Sequence, residues 1–195
     1  MNVWYSLSDI PGNEASVVTI GNFDGMHNGH KKVVSTCIER AHKLGVDAVA
    51  ITFDPHPIQV HKPEVGLQLI SPLRDRLDAM AAAGLDATLV ARYDASVYSL
   101  EPEEFVYEYL VERCGAREVV VGEDFRFGRG NAGTIDTLRE LGSRYGFGVI
   151  TVTDIEAPEG RRWSSSWVRE LLAAGDVSGA ARVLVAHPSP DLYGS

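Results

Sequence analysis

Five apolar runs rich in β-branched residues recur along this 195-residue chain, and they constrain its fold more than any other feature. They are SVVTIGNF (16–23), DAVAITF (47–53), ATLVARY (87–93), EVVVGED (118–124) and GVITVTD (148–154). Segments of helical period lie between them. Helices are expected from about 30 to 44, and from 71 to 83, where Leu73, Leu77 and Met80 share a face. Gly84 stops the second. A third is expected over 103–113, with Phe105 and Tyr109 beside Val106 and Leu110. Thr134 suits the cap of a fourth, which carries Ile135, Leu138, Leu141 and Tyr145. Two shorter helices, about 166–174 and 176–185, close the pattern, and the last ten residues read as loop. Strands alternating with helices predict βαβ units and a mostly parallel sheet. Strands apolar almost throughout are expected where both faces are covered. The expectation is one doubly wound, Rossmann-like α/β domain of five strands over 1–186, with a tail at 187–195.

In such a sheet, ligands bind beyond the carboxyl ends of the strands, where the strand order reverses. The glycine- and histidine-rich stretches fall at those ends. GNFDGMHNGH follows the first strand, DPHP the second and GEDFRFGRGNAG the fourth. RRWSSSWVRE follows the fifth after a short loop. Four stretches are therefore expected to converge on one edge of the sheet.

The formal net charge of -9 argues against a nucleic-acid or anionic-membrane surface, since both favour a basic face. It leaves room for a small anion held by a few local groups. No apolar run approaches the ~18 residues of a membrane span. The N-terminus has no basic stretch followed by an apolar block, so a cytoplasmic protein is expected. Cys37 and Cys114 fall in helix-like segments and form no disulfide framework or metal spacing, so reduced structural thiols are expected.

The first stretch is the most specific. Gly21, Gly25 and Gly29 permit tight turns and close approach to a ligand. His27 and His30 would share one side of a helix N-terminus, where free N–H groups attract anions. Two imidazoles there can donate hydrogen bonds to a phosphate whose charge rises in a transition state. A structural role for the histidines is the plainer alternative, and a zinc site with His56 as third ligand is another, although no cysteine or glutamate completes it. No G-x-x-x-x-G-K-[ST] occurs, and GRGNAG (128–133) matches the dinucleotide fingerprint only by spelling, in a longer loop after the fourth strand. Pro55 and Pro57 stiffen a turn around His56. Phe125 and Phe127 sit in a polar loop, where aromatics can stack on a planar ring or fold back onto the core. SSSWVRELL (164–172) opens a helix with capping serines, and Arg169 lies close to that terminus.

With these four stretches in order, the chain resembles the FMN adenylyltransferase module of the bacterial bifunctional riboflavin kinase/FAD synthetase family, from about Val3 to about Val185. TIGNFDGMHNGH is similar to that family's G-x-F-D-G-x-H-x-G-H, and TFDPHP, VVGEDFRFG and SSSWVRELL are similar to its other signatures. The resemblance implies the fold of the H-x-G-H nucleotidyltransferases. It implies that ATP and FMN give FAD and pyrophosphate, with Mg2+ accompanying ATP and no metal ligand from the chain. His27 and His30 would stabilise the reacting phosphates. Ser164, Ser165 and Arg169 would hold the ATP phosphates, with Gly21, Asn22, Phe23 and Gly29 also on the nucleotide side. The flavin would lie against Asp54, Pro55, His56 and Pro57, and against Asp124, Phe125 and Phe127.

Two departures stand out. Trp163 and Trp167 occupy positions where the family has smaller residues, so they either reshape the nucleotide pocket or pack against it. Only ten residues follow Val185, so the family's kinase module is not expected within this chain, and FMN is expected from elsewhere, as free metabolite or from a separate riboflavin kinase. Two rival readings remain. One is transfer of CMP or AMP to another phosphorylated small molecule, and the other is a non-catalytic flavin- or nucleotide-binding protein.

Overall fold

The computed structural model of the chain describes residues 1–12, 14–153 and 160–185. Six parallel strands form its sheet: β1 (Asn2–Trp4), β2 (Ser16–Ile20), β3 (Asp47–Asp54), β4 (Ala87–Arg92), β5 (Ala116–Gly122) and β6 (Gly148–Val152). Their order is β1-β4-β3-β2-β5-β6. Five match the expected strands. The sixth, β1, corrects the expected count: its three residues are too few to show a period, and they pair at the edge with Ala87 to Leu89 of β4. The expected tail and the end of the last expected strand, Asp154, lie outside the described residues.

Successive residues of each strand point to opposite faces, and each face has its own core. Val17, Ala48, Ala50 and Val120 pack on one side with Val34, Cys37 and Ala41 of α1 (Asn28–Leu44). Met80 of α3 (Leu73–Ala83) joins them; the intervening α2 is Pro57–His61. Val18, Ile20, Ile51, Leu89 and Val119 face the other way. They meet α5 (Pro102–Phe105), which runs on into a π-helical segment (Val106–Arg113), and α6 (Ile135–Tyr145). The short α4 (Ala95–Tyr98) precedes these. The expected stripes hold: Phe105, Val106, Tyr109 and Leu110 are all buried. Thr134 caps α6 as expected, its hydroxyl accepting from the Thr137 N–H at 3.2 Å. Gly84 ends α3 at φ 100, a left-handed conformation that favours glycine.

The chain steps outward from β2 to β3 and β4, then crosses back to place β5 on the other flank of β2. The order therefore reverses between β2 and β5, and the crevice above their carboxyl ends is where such a sheet binds ligands. A third, smaller cluster closes over that edge. It joins Trp163 and Val168, at α7 (Ser165–Ala173), to Ala180 and Val183 of α8 (Val177–Val185). Both cysteines are buried, and burial pushes each thiol up to about 12. No helix among the described residues is long and apolar enough to cross a membrane.

Candidate active site

Beyond Ile20 the chain leaves the sheet in a tight loop. Phe23 (φ 50) and Met26 (φ 42) both adopt left-handed backbone, which costs non-glycine residues energy. Burial of both side chains in the α1-side core compensates. α1 begins at Asn28, two residues earlier than expected, and this makes His27 its cap. The His27 Nδ1 accepts from the His30 N–H at 3.4 Å, and the two rings stack 3.7 Å apart. Phe23 meets the His30 ring edge-on at 5.4 Å. Burial, reinforced by the Arg162 guanidinium, lowers His27 to about 4. Burial and the neighbouring His27 hold His30 well below the usual imidazole range. Both rings are neutral at pH 7. The Nδ1 of His30 and the Oδ1 of Asn28 are buried without a partner, so polar groups at this terminus stand ready for a ligand. A Cβ at Gly29 would lie 3.1 Å from the His27 ring and 3.4 Å from the Trp163 carbonyl, so a side chain there would press on the His27 ring.

Asp24, 1% exposed, ties the loop to two distant segments. Its Oδ1 accepts from the Ile70 and Ser71 N–H groups, each at 3.0 Å. Its Oδ2 pairs with the Arg169 Nη2 at 2.5 Å, and Arg169 Nε donates to the Gln68 carbonyl. The Ser165 hydroxyl donates to the Asp24 carbonyl at 2.8 Å, while Ser164 caps α7 by accepting from the Trp167 N–H. The motif at the start of α1 and the serine-rich start of α7 are thus adjacent. Arg162, Lys31 and Arg169 all bear electrostatically on His27, so cationic groups gather here in an acidic chain.

The other wall is aromatic. A cavity of about 210 Å³ opens beside Gly21 and Asn22, between Pro57, Tyr93 and Tyr98 on one side and Phe125 and Phe127 on the other. Phe127 is buried, stacks on Phe125 at 5.5 Å and reaches Phe105 at 6.0 Å. Phe125 is only half-buried. Both therefore pack on the core and line the cavity, Phe127 buried and Phe125 the more open of the two. GRGNAG is a loop in which Phe127 bridges to Gly133, with no direct strand-to-helix turn.

The remaining expected residues are distributed as follows. Phe23 is 1% exposed, so its side chain is core and only its backbone is available to a nucleotide. His56 is buried and caps α2, its Nδ1 accepting from the Ile58 N–H at 3.1 Å. Burial lowers its basicity, with Asp24 opposing and Arg169 and Arg76 adding to the effect. Asp54 meets Arg76 at 3.4 Å, and Asp124 pairs with Arg162 at 2.7 Å. Neither aspartate lines the cavity, nor do Pro55 and His56. Among the described residues no group of three or more His, Cys, Asp or Glu is placed to hold a metal ion. Trp163 and Trp167 pack together at 5.5 Å within the α7–α8 cluster and do not line the cavity.

Asp24, Arg76 and Arg162 were not singled out from sequence, and neither were the aromatics Phe53, Tyr93 and Tyr98. One signal was present: Arg76 lies three residues after Leu73 and four before Met80, a charge in the middle of an apolar face. It is fully buried.

A model of the FAD synthetase family matches residues 9–167. The bifunctional riboflavin kinase/FMN adenylyltransferase of Escherichia coli (strain K12) is 34% identical over 184 residues, covering 94% of this chain and 58% of its own length. The protein of the same name in Pseudomonas fluorescens is 36% identical over 174 residues, with 89% and 55% covered. The chain thus spans little more than half the length of these relatives. A relative from Geobacillus thermodenitrificans (strain NG80-2) is 37% identical over 167 residues, 86% of each chain. Among solved structures, one described as a macrolide-efflux protein from Streptococcus pneumoniae superposes with a TM-score of 0.81 at 26% identity, over 94% of this chain and 60% of that one. A pantoate-beta-alanine ligase from Francisella tularensis, at 14% identity and a TM-score of 0.60 over 91% and 76%, shares the fold. The α/β sheet, the H-x-G-H pair at its switch point and a family match over most of the length agree: this chain belongs to the FAD synthetase family.

Proposed function

We propose that this chain transfers AMP from ATP to FMN, giving FAD and pyrophosphate. The observation that carries the reading is a neutral, stacked histidine pair between two unlike walls. On one side Ser164, Ser165, Arg169 and the start of α1 suit a triphosphate; on the other, an aromatic cavity suits a planar ring. The FMN phosphate attacks the α-phosphorus of ATP in line, a bond to oxygen forms, and the bond to pyrophosphate breaks. No side chain is adenylylated in this direct transfer, so the chain works by placement and by stabilising charge. His27 and His30, uncharged before ligands arrive, donate N–H groups to oxygens that gain charge as the reaction proceeds. For Arg169 to reach ATP it would leave Asp24, so nucleotide binding and the position of α7 are linked. Mg2+ is expected to arrive on the triphosphate and to neutralise it; the described carboxylates form no cage for it. The reading places the protein in the cytoplasm and takes its FMN from riboflavin kinase activity elsewhere.

Trp163 and Trp167 pack within the α7–α8 cluster and leave the aromatic cavity open, which supports binding of a planar acceptor there. The test is to incubate the chain with ATP, FMN and Mg2+ and to separate the flavins. FAD with stoichiometric pyrophosphate is expected. Turnover only with CTP or another acceptor, or binding of FMN without turnover, would replace this reading.

A further inference from the structure

We propose that Arg76 is a positioning residue for the flavin acceptor, acting through the ends of β2 and β3; this rests on the FMN adenylyltransferase reading. Arg76 is 0% exposed and does not itself line the cavity. Its Nη1 donates to the Asn22 carbonyl at 2.9 Å, and lies 3.4 Å from the Phe53 carbonyl and 3.5 Å from the Thr52 hydroxyl. Its Nη2 reaches the Asp54 carboxylate at 3.4 Å, and its Nε has no partner. The Thr52 hydroxyl also donates to the Asn22 carbonyl, at 3.2 Å. Every one of these contacts is to the carboxyl end of β3 or to the loop leaving β2. Asn22 and Phe53 line the cavity.

A buried guanidinium in this position is costly for stability alone. Its single counter-charge is half-exposed and distant for a hydrogen bond, and one donor is unsatisfied. A leucine or methionine would complete the apolar face of α3 at no such cost. What only arginine supplies is a rigid planar fork that holds two chain segments at once. Here the fork joins the two strand ends at the point where their chains part, one toward the histidines and one toward the DPHP turn. The spacing of Asn22 and Phe53, and so the floor of the cavity, depends on it. α7 docks through Asp24, and the two histidines contact each other and Phe23; none of these hydrogen bonds or ring contacts shares a partner with Arg76. Asn22, expected from the resemblance on the nucleotide side, lines the aromatic cavity and is held there by Arg76, so loss of the fork should weaken the acceptor and largely spare ATP.

The test compares Arg76→Lys, which keeps the charge and loses the fork, with the wild-type chain. FMN affinity is read by flavin fluorescence, ATP affinity by calorimetry, and kcat and KM by FAD formation. FMN Kd and KM should rise about tenfold, as for loss of hydrogen bonds from a charged donor. ATP affinity should stay near wild type and kcat should fall less than KM rises. A folded Arg76→Lys with wild-type FMN affinity, or with both ligands weakened alike, overturns the proposal. If that variant does not fold, Thr52→Val decides. It removes the hydroxyl bridging Asn22 and Arg76, and should weaken FMN selectively; unchanged FMN affinity in folded Thr52→Val overturns the role. A wild-type chain that binds no FMN would instead overturn the parent reading of the site.

Discussion

His27 and His30 show why residue identity alone leaves a role open. Rings stacked at 3.7 Å cannot both be charged at low cost, and burial keeps them neutral. Loss of a donor to a developing oxyanion typically costs ~10²–10³ in rate. His30→Ala should reduce kcat by that order and leave ATP affinity nearly intact; an unchanged turnover number would remove the phosphate role. The same burial predicts a pH effect on stability. The folded-state value of His27 is depressed, so between about 6.5 and about 4 the unfolded chain binds a proton that the folded chain does not. Stability is therefore fully present above that window and falls as pH drops through it, by up to about 3 kcal/mol for His27. Denaturant titrations from pH 7.5 to 4 should show this loss, and His27→Asn should reduce it, leaving the same-signed contributions of the buried His30 and His56. The two phenylalanines, alike in sequence, now separate. Phe125→Ala should weaken FMN by about 1 kcal/mol with little change in Tm. Phe127→Ala should instead cost about 3–5 kcal/mol of stability, because it opens the core beside Phe105. Urea unfolding beside an FMN titration distinguishes the two outcomes.

At the scale of elements, the long periodic segments were legible and the short ones were not. α1, α3, α6, α7 and five strands follow from spacing that repeats over several turns or pleats. β1, α2 and α4 have three to five residues each, too few to repeat a period. The docking of α7 was also unreadable, although all of it but Ala173 lies in a quoted motif. Asp24 fixes α7 through Arg169, while the Ser165 hydroxyl binds its carbonyl. Asp24→Asn keeps the oxygen that accepts from Ile70 and Ser71 but removes the charge beside Arg169. The expected cost is about 2 kcal/mol, as for a hydrogen bond between charged groups in a partly exposed pair. Hydrogen exchange should then quicken in α7 and α8 and not in α1 or the sheet. Uniformly faster exchange, or none, would show that Asp24 does not anchor that element.

For the whole molecule, the reversal of strand order between β2 and β5 gathers the motifs at one edge, beside the aromatic cavity. FAD formation needs the FMN phosphate at the α-phosphorus, whereas phosphorylation of riboflavin needs a hydroxyl at the γ-phosphorus. One in-line pose does not serve both. The 195-residue chain with riboflavin, ATP and Mg2+ should form neither FMN nor FAD; flavin phosphate in a preparation free of host kinase would show otherwise. By itself the sequence determined the α/β class, the main elements and the placement of each polar motif just past a strand, because periodicity and caps act over windows of a few residues. The family resemblance rests on the same local stretches. Only the tertiary structure decided that Asp24 would meet Ser71 and Arg169, 47 and 145 residues away. It also decided that Arg76 would be buried under the cavity floor, and that Phe127 would be buried in the core while Phe125 packs against it half-buried. Those outcomes depend on which strands become neighbours and how their helices pack across them, and no local window contains both partners.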